Sequence, residues 1–133
     1  MRTEDIEWYK PTEFYILVVS SYVKIGISSN WEKRKKLYER EFIDIEFQKL
    51  KSIQFEFRWQ AELLEQVVKW RLRRWVVPGR HEYFNLQIQT VLDCFYQTKN
   101  ELEPEFIKHS HIHKKGKNRW DFYRQIAEAY FKY

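Results

Sequence analysis

Alternating apolar positions near the start of the chain predict a β-hairpin. Phe14–Val19 and Tyr22–Ile27 have the length and composition of strands, and the two serines between them predict a two-residue turn. In that register Tyr15 lies opposite Gly26, and one face of the hairpin is wholly apolar. The other face carries a tyrosine, a lysine and a glycine within the set Tyr15, Leu17, Val19, Tyr22, Lys24 and Gly26.

A helix is predicted directly after the hairpin. Ser29 and Glu32 have the spacing of a capping box, and Asn30 is a competing N-cap. At about 100° per residue, Arg34 falls in the middle of the arc that the apolar side chains of this helix occupy. A guanidinium is seldom directed at a packed face without a partner there. Arg34 is therefore a candidate functional residue.

A period-two pattern over residues 45–59 predicts a third strand. Lys49–Ser52 interrupts the pattern, so we expect a bulge, a bend or a second hairpin at that point. Gln60–Trp75 then predicts a helix, whose broad apolar face consists of Leu64, Val67, Val68, Leu72 and Trp75. Glu65 lies on the edge of that face, whereas Glu62 lies well out on the polar side.

The remaining sequence predicts two more helices. Pro78-Gly79 breaks the chain, and Gln87–Gln97 is amphipathic. Glu101–Glu105, which contains Pro104, is predicted to be a linker. A last helix over about Asn118–Tyr133 is predicted to bury Trp120, Tyr123, Ala127, Tyr130 and Phe131.

These elements predict an α+β fold with a three-stranded, mainly antiparallel sheet flanked by helices. The chain has 133 residues, enough for one domain with an extension. Its one cysteine, Cys94, cannot form an intramolecular disulfide or anchor a zinc finger. No apolar run approaches the roughly 18 residues of a membrane span, and the N-terminus is acidic. We expect a soluble, cytoplasmic protein that does not contact a membrane.

Basic side chains are clustered along the chain. Lysine and arginine total 24 against 19 acidic residues, a net charge of +5. Basic runs favour a polyanionic partner, because each neutralised phosphate releases counterions; a solvated surface is the alternative. The side chains that we expect to contact a nucleic acid, most simply double-stranded DNA, are Lys33, Lys35, Lys36, Arg71, Arg74, Lys114, Lys115, Lys117 and Arg119. We expect a domain over residues 1–98 and a basic, aromatic extension over residues 99–133.

Several short motifs, in order, resemble the GIY-YIG endonuclease superfamily. Glu13-Phe14-Tyr15 stands where Gly-Ile-Tyr is expected, and Lys24-Ile25-Gly26 stands where Tyr-Ile-Gly is expected. Arg34 follows at the family's spacing after that glycine. Ala61–Glu65 resembles the helix that bears the family's metal-binding glutamate.

The closer likeness is to a branch of phage and bacterial proteins that has Lys-Ile-Gly in the second motif. That branch also has Gly-Glu-Trp-Phe after the glutamate helix, which Gly79, Glu82, Tyr83 and Phe84 resemble with an insertion. The likeness covers about Phe14–Tyr96. Tyr38 stands where a histidine is often found.

The resemblance implies a metal-dependent endonuclease that hydrolyses DNA phosphodiester bonds. Glu65 would hold one Mg²⁺ or Mn²⁺ ion, and Arg34 would bind the scissile phosphate. Tyr15 would position or deprotonate the attacking water, and its pKa of about 10 would need positive charge nearby, such as Lys24. Gly26 would leave space for the phosphate.

Each of these catalytic candidates also has an ordinary structural explanation. Tyr15 and Lys24 could be plain strand residues. Arg34 could extend along its helix into solvent or pair with Glu41. Glu65 could simply pair with Lys69, four residues further along the same helix.

Two other functions stay open at this point. The chain could be a nucleic-acid-binding or regulatory protein that keeps the fold without catalysis. It could also be a protein-interaction or inhibitor domain, whose aromatic content of 19% marks a partner surface. Since the family cuts one strand per site, cleavage of both strands would need a homodimer or two visits.

A histidine-rich stretch follows the predicted linker. His109, His111 and His113 alternate, and in a strand they could bind Zn²⁺ or Ni²⁺. The surrounding lysines would repel a cation, so we favour a loop that contacts phosphate, with a solvated loop as the alternative. Trp120 and Tyr123 could stack on bases, although their spacing more simply indicates a packed helix.

Overall fold

Residues 10–109 and 125–131 are the part of the chain that the computed structural model describes, and they form an α+β fold. The elements are β1 (Thr12–Val19), β2 (Tyr22–Ser28), α1 (Trp31–Glu41), β3 (Phe47–Phe55), α2 (Arg58–Arg71), β4 (Val76–Val77), β5 (Arg80–Phe84) and α3 (Ile88–Lys108). The strands lie in the order β3-β1-β2-β5-β4, and every neighbouring pair is antiparallel.

The sheet has five strands, so the prediction of three was wrong. β4 and β5 form a short hairpin around Pro78-Gly79, where Gly79 has a φ of 78° that favours glycine. β5 pairs with the other edge of β2 and places Tyr83 opposite Lys24. A two-residue strand such as β4 is too short to show the alternation from which strands are predicted.

The β1–β2 hairpin has the predicted register. Tyr15 lies opposite Gly26, and Leu17 lies opposite Lys24. Ser20 in the turn has a φ of 56°, the left-handed conformation that two-residue hairpin turns require. The prediction that Tyr15 and Lys24 share one face is confirmed.

The interruption in the third strand is a β-bulge. Ile16 pairs with Lys51 and Leu17 pairs with Lys49, so Leu50 has no partner on β1. Of the three alternatives that the sequence left open, the bulge is confirmed. β3 continues through it without a break.

Two helices, α2 and α3, cover one face of the sheet. Four of the six residues predicted for the apolar face of the hairpin are buried against these helices: Phe14, Ile16, Val23 and Ile25. Of the other two, Ile27 packs against the edge of this core, and Val18 is partly buried outside it. The ring of Phe14 stacks on that of Phe95 in α3, with centroids 5.2 Å apart. Burial of each large apolar side chain stabilises the fold by roughly 1.5–3 kcal/mol. This face therefore contributes most of the stability of the described domain.

α2 begins and ends earlier than predicted. The Gln60 side chain accepts a hydrogen bond from the backbone ahead of the helix at 3.1 Å, which fixes the helix start at Arg58. The helix ends at Arg71 and is followed by a 3₁₀ turn over Arg73–Trp75. The prediction that Trp75 belongs to the apolar face was wrong, because the helical period ends before it. Its side chain lies at the surface instead.

Residues 101–105 lie inside α3, so the predicted linker was wrong. Leu102 is fully buried, and the ring of Phe106 lies 5.6 Å from that of Phe55. Pro104 cannot donate a helical hydrogen bond, which costs about 3 kcal/mol. Burial of two large apolar side chains offsets that cost. The expected boundary between residues 98 and 99 falls within this one helix.

Only part of the C-terminal extension is described. Residues 125–129 are helical, Ala127 is fully buried, and Tyr130 and Phe131 pack against the core, as predicted for those positions. The other residues predicted there to bind or pack lie outside the described residues: His111, His113, Lys114, Lys115, Lys117, Arg119, Trp120 and Tyr123. No helix in the described part of the chain is long and apolar enough to cross a membrane.

Candidate functional site

The second face of the sheet carries a separate cluster of buried residues. It contains Tyr15, Leu17, Val19, Tyr38, Phe42 and Tyr83. α1 covers this cluster. The N-cap of α1 is Asn30 rather than Ser29, and the Asn30 side chain accepts a hydrogen bond from the backbone N–H of Lys33 at 3.1 Å. The cap sets the start of the helix, and Tyr38, two turns later, is directed onto the sheet.

A pair of tyrosine hydroxyls lies at the centre of this cluster. Tyr15 and Tyr38 are almost fully buried, and their hydroxyl groups form a hydrogen bond with each other. Burial and the bond to Tyr38 raise the pKa of Tyr15, although the positive charge of Arg34 lowers it in part. Burial also raises the pKa of Tyr38. Both hydroxyls are therefore protonated at neutral pH.

Gly26 makes room for Tyr15. A Cβ atom at Gly26 would lie 2.5 Å from the Tyr15 hydroxyl oxygen and 2.6 Å from Cζ, so only glycine fits under this ring. The expectation that Gly26 leaves space for a phosphate was wrong, because the tyrosine on the neighbouring strand already fills that space.

Lys24 is a buried cation with a carboxylate partner. Its ammonium group donates a hydrogen bond to Glu82 of β5 and lies 4.7 Å from the centre of the Tyr83 ring. Burial acts to raise the pKa of Glu82, but the bond and charges from Lys24 and Lys69 outweigh it and lower that pKa. Glu82 appeared in the sequence only as part of a motif, and its role as the partner of Lys24 was missed.

Glu65 joins the site through a second lysine. The Lys69 ammonium lies 3.4 Å from Glu65 Oε2 and 3.4 Å from Glu82 Oε1, so it bridges two carboxylates. The Glu65 side chain is only 17% exposed. Burial raises its pKa, Lys69 lowers it in part, and the nearby charge of Glu82 raises it further. Lys24, Glu82, Lys69 and Glu65 thus form an alternating ion network, named the lysine–glutamate network below.

A cleft of about 460 Å³ opens between α1 and β5. Its lining consists of Lys24, Arg34, Tyr38, Glu41, Arg80, Glu82 and Tyr83. Arg34 is exposed at this cleft, so the expectation that it points into the packed side of α1 was wrong. Three cations against two carboxylates give the cleft a net positive charge, which suits an anion such as a phosphate.

The four predicted catalytic residues take different positions relative to this cleft. Lys24 and Arg34 line it directly. Tyr15 lies one hydrogen bond behind Tyr38, and Glu65 is connected only through the lysine–glutamate network. The sequence missed Tyr38, Lys69 and Arg80 as site residues; the position of Tyr38 in the family motif was the one available signal for it.

The predicted nucleic-acid contacts also fall into two groups. Lys33, Lys35 and Lys36 on α1 and Arg74 after α2 are exposed. The Arg71 side chain is only 11% exposed and donates to Thr98, to Glu101 and to the backbone carbonyl of Tyr130. These contacts hold the last described turn of the chain against α2 and α3, and they occupy the guanidinium that we expected to bind a phosphate.

The donor set around Glu65 is sparse for a metal ion. Within residues 10–109 and 125–131, no group of three or more histidine, cysteine or acidic side chains could hold a metal. One carboxylate suits a hard divalent ion whose other ligands are water and phosphate. In the described conformation, however, the Lys69 ammonium lies 3.4 Å from Glu65 Oε2, so its positive charge opposes a metal ion at that carboxylate.

Comparisons with family models, with curated proteins and with solved structures gave no significant match to this chain.

Proposed function

We propose that this protein is a metal-dependent endonuclease that hydrolyses phosphodiester bonds in DNA. The observation that carries the proposal is the positively charged cleft. Residues that are distant in sequence come together to line it: Lys24, Arg34, Tyr38 and Arg80. The motifs that resemble the GIY-YIG superfamily support the same function. The net charge of +5 and the exposed lysines of α1 support a nucleic-acid partner.

In this proposal four of the seven cleft residues have a defined task. Arg34, exposed at the cleft, binds the scissile phosphate with its planar fork of N–H donors. Tyr38, which lines the cleft, orients the attacking water, and Tyr15 fixes the Tyr38 hydroxyl by their hydrogen bond. Lys24 adds positive charge, and Glu82 holds its ammonium group in place.

Glu65 would hold the Mg²⁺ or Mn²⁺ ion, as the family resemblance implies. Such an ion would neutralise charge on the phosphate and the leaving oxygen. Lys69 would then release Glu65 and keep its contact with Glu82, which lies at the same distance.

Plasmid nicking tests the proposal. Supercoiled DNA incubated with Mg²⁺ or Mn²⁺ is expected to relax, and Arg34→Ala or Glu65→Gln is expected to slow nicking at least about 10²-fold. Arg40→Ala is the matched control, because Arg40 is an exposed arginine on α1 that does not line the cleft. Equal rates for Arg34→Ala and Arg40→Ala would contradict the proposal.

A second candidate function is binding of nucleic acid without cleavage. It is favoured by the burial and raised pKa of Tyr15 and by the pairing of Glu65 with Lys69. Intact plasmid at every metal and pH, together with a gel shift that weakens between about 50 and 200 mM salt, would support this candidate over the enzyme.

A further inference from the structure

We propose that a second pocket beside the cleft binds one unpaired nucleobase. This base pocket has a volume of about 250 Å³, and its lining includes Tyr22, Arg74, Trp75, Val77 and Asn85. The inference rests on the proposed function, because the base belongs to the nucleic acid whose phosphate occupies the cleft.

Two exposed aromatic rings line the base pocket. Trp75 is 42% exposed and Tyr22 is 38% exposed. Large aromatic side chains usually bury most of their surface, so two of them exposed at one pocket indicate a ligand with a flat apolar face. Stacking on such rings suits any nucleobase, since every base has a π face.

The backbone holds the Trp75 position firmly. The Trp75 N–H donates to the carbonyl of Leu72 at 3.0 Å, and its carbonyl accepts from the N–H of Asn85 at 2.8 Å. The first bond attaches Trp75 to the end of α2 and the second to the end of β5. Because the backbone is fixed, only the two side-chain torsions of Trp75 lose freedom when a base stacks on its ring.

The polar groups of the base pocket match a nucleotide. The guanidinium of Arg74 is planar and charged, and can stack on a base or bind its phosphate. The Asn85 amide can donate and accept hydrogen bonds at a base edge. The stretch 69–80 that supplies most of the lining contains no acidic residue. This positive charge favours an anionic ligand such as a nucleotide over an apolar or basic protein segment.

The base pocket lies about one nucleotide from the cleft. Tyr22 and Lys24 are two residues apart on β2 and therefore share one face of the sheet. At about 3.3 Å per residue, their Cα atoms lie about 6.6 Å apart. Val77, which also lines the base pocket, packs against the cluster that contains Tyr83 of the cleft. A strand whose phosphate is bound by Arg34 in the cleft can therefore place a neighbouring base against Tyr22 and Trp75.

The test compares two labelled strands of equal charge by fluorescence anisotropy. One is a short oligodeoxythymidine, and the other has the same phosphodiester backbone with abasic sites. The protein is expected to bind the thymidine strand about 5–100-fold more tightly, which corresponds to one stacked base. Trp75→Leu and Tyr22→Leu are each expected to reduce that preference while leaving the affinity for the abasic strand unchanged.

Tyr96→Leu is the matched control. Tyr96 is a 45% exposed aromatic residue on α3 with a lysine ammonium over its ring, at 5.3 Å, and it does not line the base pocket. Its loss is expected to leave both affinities unchanged. Circular dichroism of each variant checks that it is folded.

Two outcomes would overturn the inference. One is equal affinity of the unaltered protein for the two strands. The other is an equal loss for both strands in Trp75→Leu and Tyr22→Leu, which would mean that the rings act on the backbone or on a protein surface. Absence of binding to either strand at low salt would also overturn the inference, and plasmid nicking would then show separately whether the proposed function holds.

Discussion

The two faces of the β1–β2 hairpin consist of alternate residues of the same strands, yet they have different chemistry. One face presents Phe14 and Ile16 to two helices that exclude water. The other presents Tyr15 and Lys24 to the shorter α1 and to an open cleft. The backbone is shared, so a change in one face can be measured against the other.

The pleat of the sheet puts the residues that stabilise the fold on one face and the residues of the candidate site on the other. The apolar face needs only volume and shape to pack well. The second face contains the buried Lys24 and two hydrogen-bonded tyrosines, Tyr15 and Tyr38, whose pKa values are both raised. It also contains a buried Tyr83 hydroxyl that has no hydrogen-bond partner in the described residues. A buried polar group costs stability unless it is hydrogen-bonded or paired, so the Tyr83 hydroxyl is a cost that the apolar face does not carry.

The largest expected effect is on the apolar face. Phe95→Ala removes a fully buried ring that stacks on Phe14 and is expected to lower the free energy of unfolding by about 3–5 kcal/mol. Urea unfolding followed by circular dichroism measures the change. Tyr96→Ala, one residue along and exposed, is expected to cost less than about 1 kcal/mol, and similar losses for the two variants would contradict the assignment of the core.

Gly26→Ala is expected to lower the free energy of unfolding by about 1–3 kcal/mol, because the new methyl group would overlap the Tyr15 hydroxyl. Adding Tyr15→Leu removes that overlap and is expected to restore part of the loss. Gly79→Ala is the control: it has open space but a φ of 78°, so Tyr15→Leu should not change its cost. Additive effects of Gly26→Ala and Tyr15→Leu would refute the contact.

Burial raises the pKa of Tyr83 to about 12. In the unfolded chain this tyrosine ionises near pH 10, so the folded state binds more protons between those values and stability falls as pH rises from 10 to 12. Relative to Tyr83→Phe, the unaltered protein is expected to lose about 2 kcal/mol near pH 12. Parallel stability curves for the two proteins across this range would count against the raised pKa.

The smallest effect concerns the lysine–glutamate network. Lys69→Met removes the ammonium that lies against Glu65 and is expected to increase the affinity for Mn²⁺ about tenfold, as measured by isothermal titration calorimetry. Lys99→Met, which removes a similar i,i+4 contact to Glu103 on α3, should leave Mn²⁺ binding unchanged. Unchanged affinity in Lys69→Met would mean that Lys69 does not compete with a metal at Glu65.

The sequence indicated local features best. The alternation in β1 and β2 predicted the facing of Tyr15 and Gly26, and the break at Lys49–Ser52 predicted the bulge. The sequence predicted poorly those features that depend on contacts between distant segments of the chain. Pro104 led to the prediction of a linker over residues 101–105 because proline disfavours a helix interior. Burial of Leu102 and Phe106 outweighs that preference, and the helix continues through Pro104.

The candidate site divides in the same way. Residue types and their order predicted that Tyr15, Lys24, Arg34 and Glu65 act together. Their partners could not be identified, because Tyr38, Lys69 and Glu82 approach them from other helices and strands.

Local periodicity correctly predicted which side chains of β1 and β2 share a face, because the strand period acts over a few neighbouring residues. Only the tertiary structure decided that Tyr15 is buried against Tyr38, that Lys24 pairs with Glu82, and that Trp75 lies exposed beside the cleft. These outcomes depend on how separate elements pack, and packing is decided by the burial and pairing of the whole chain rather than by local pattern.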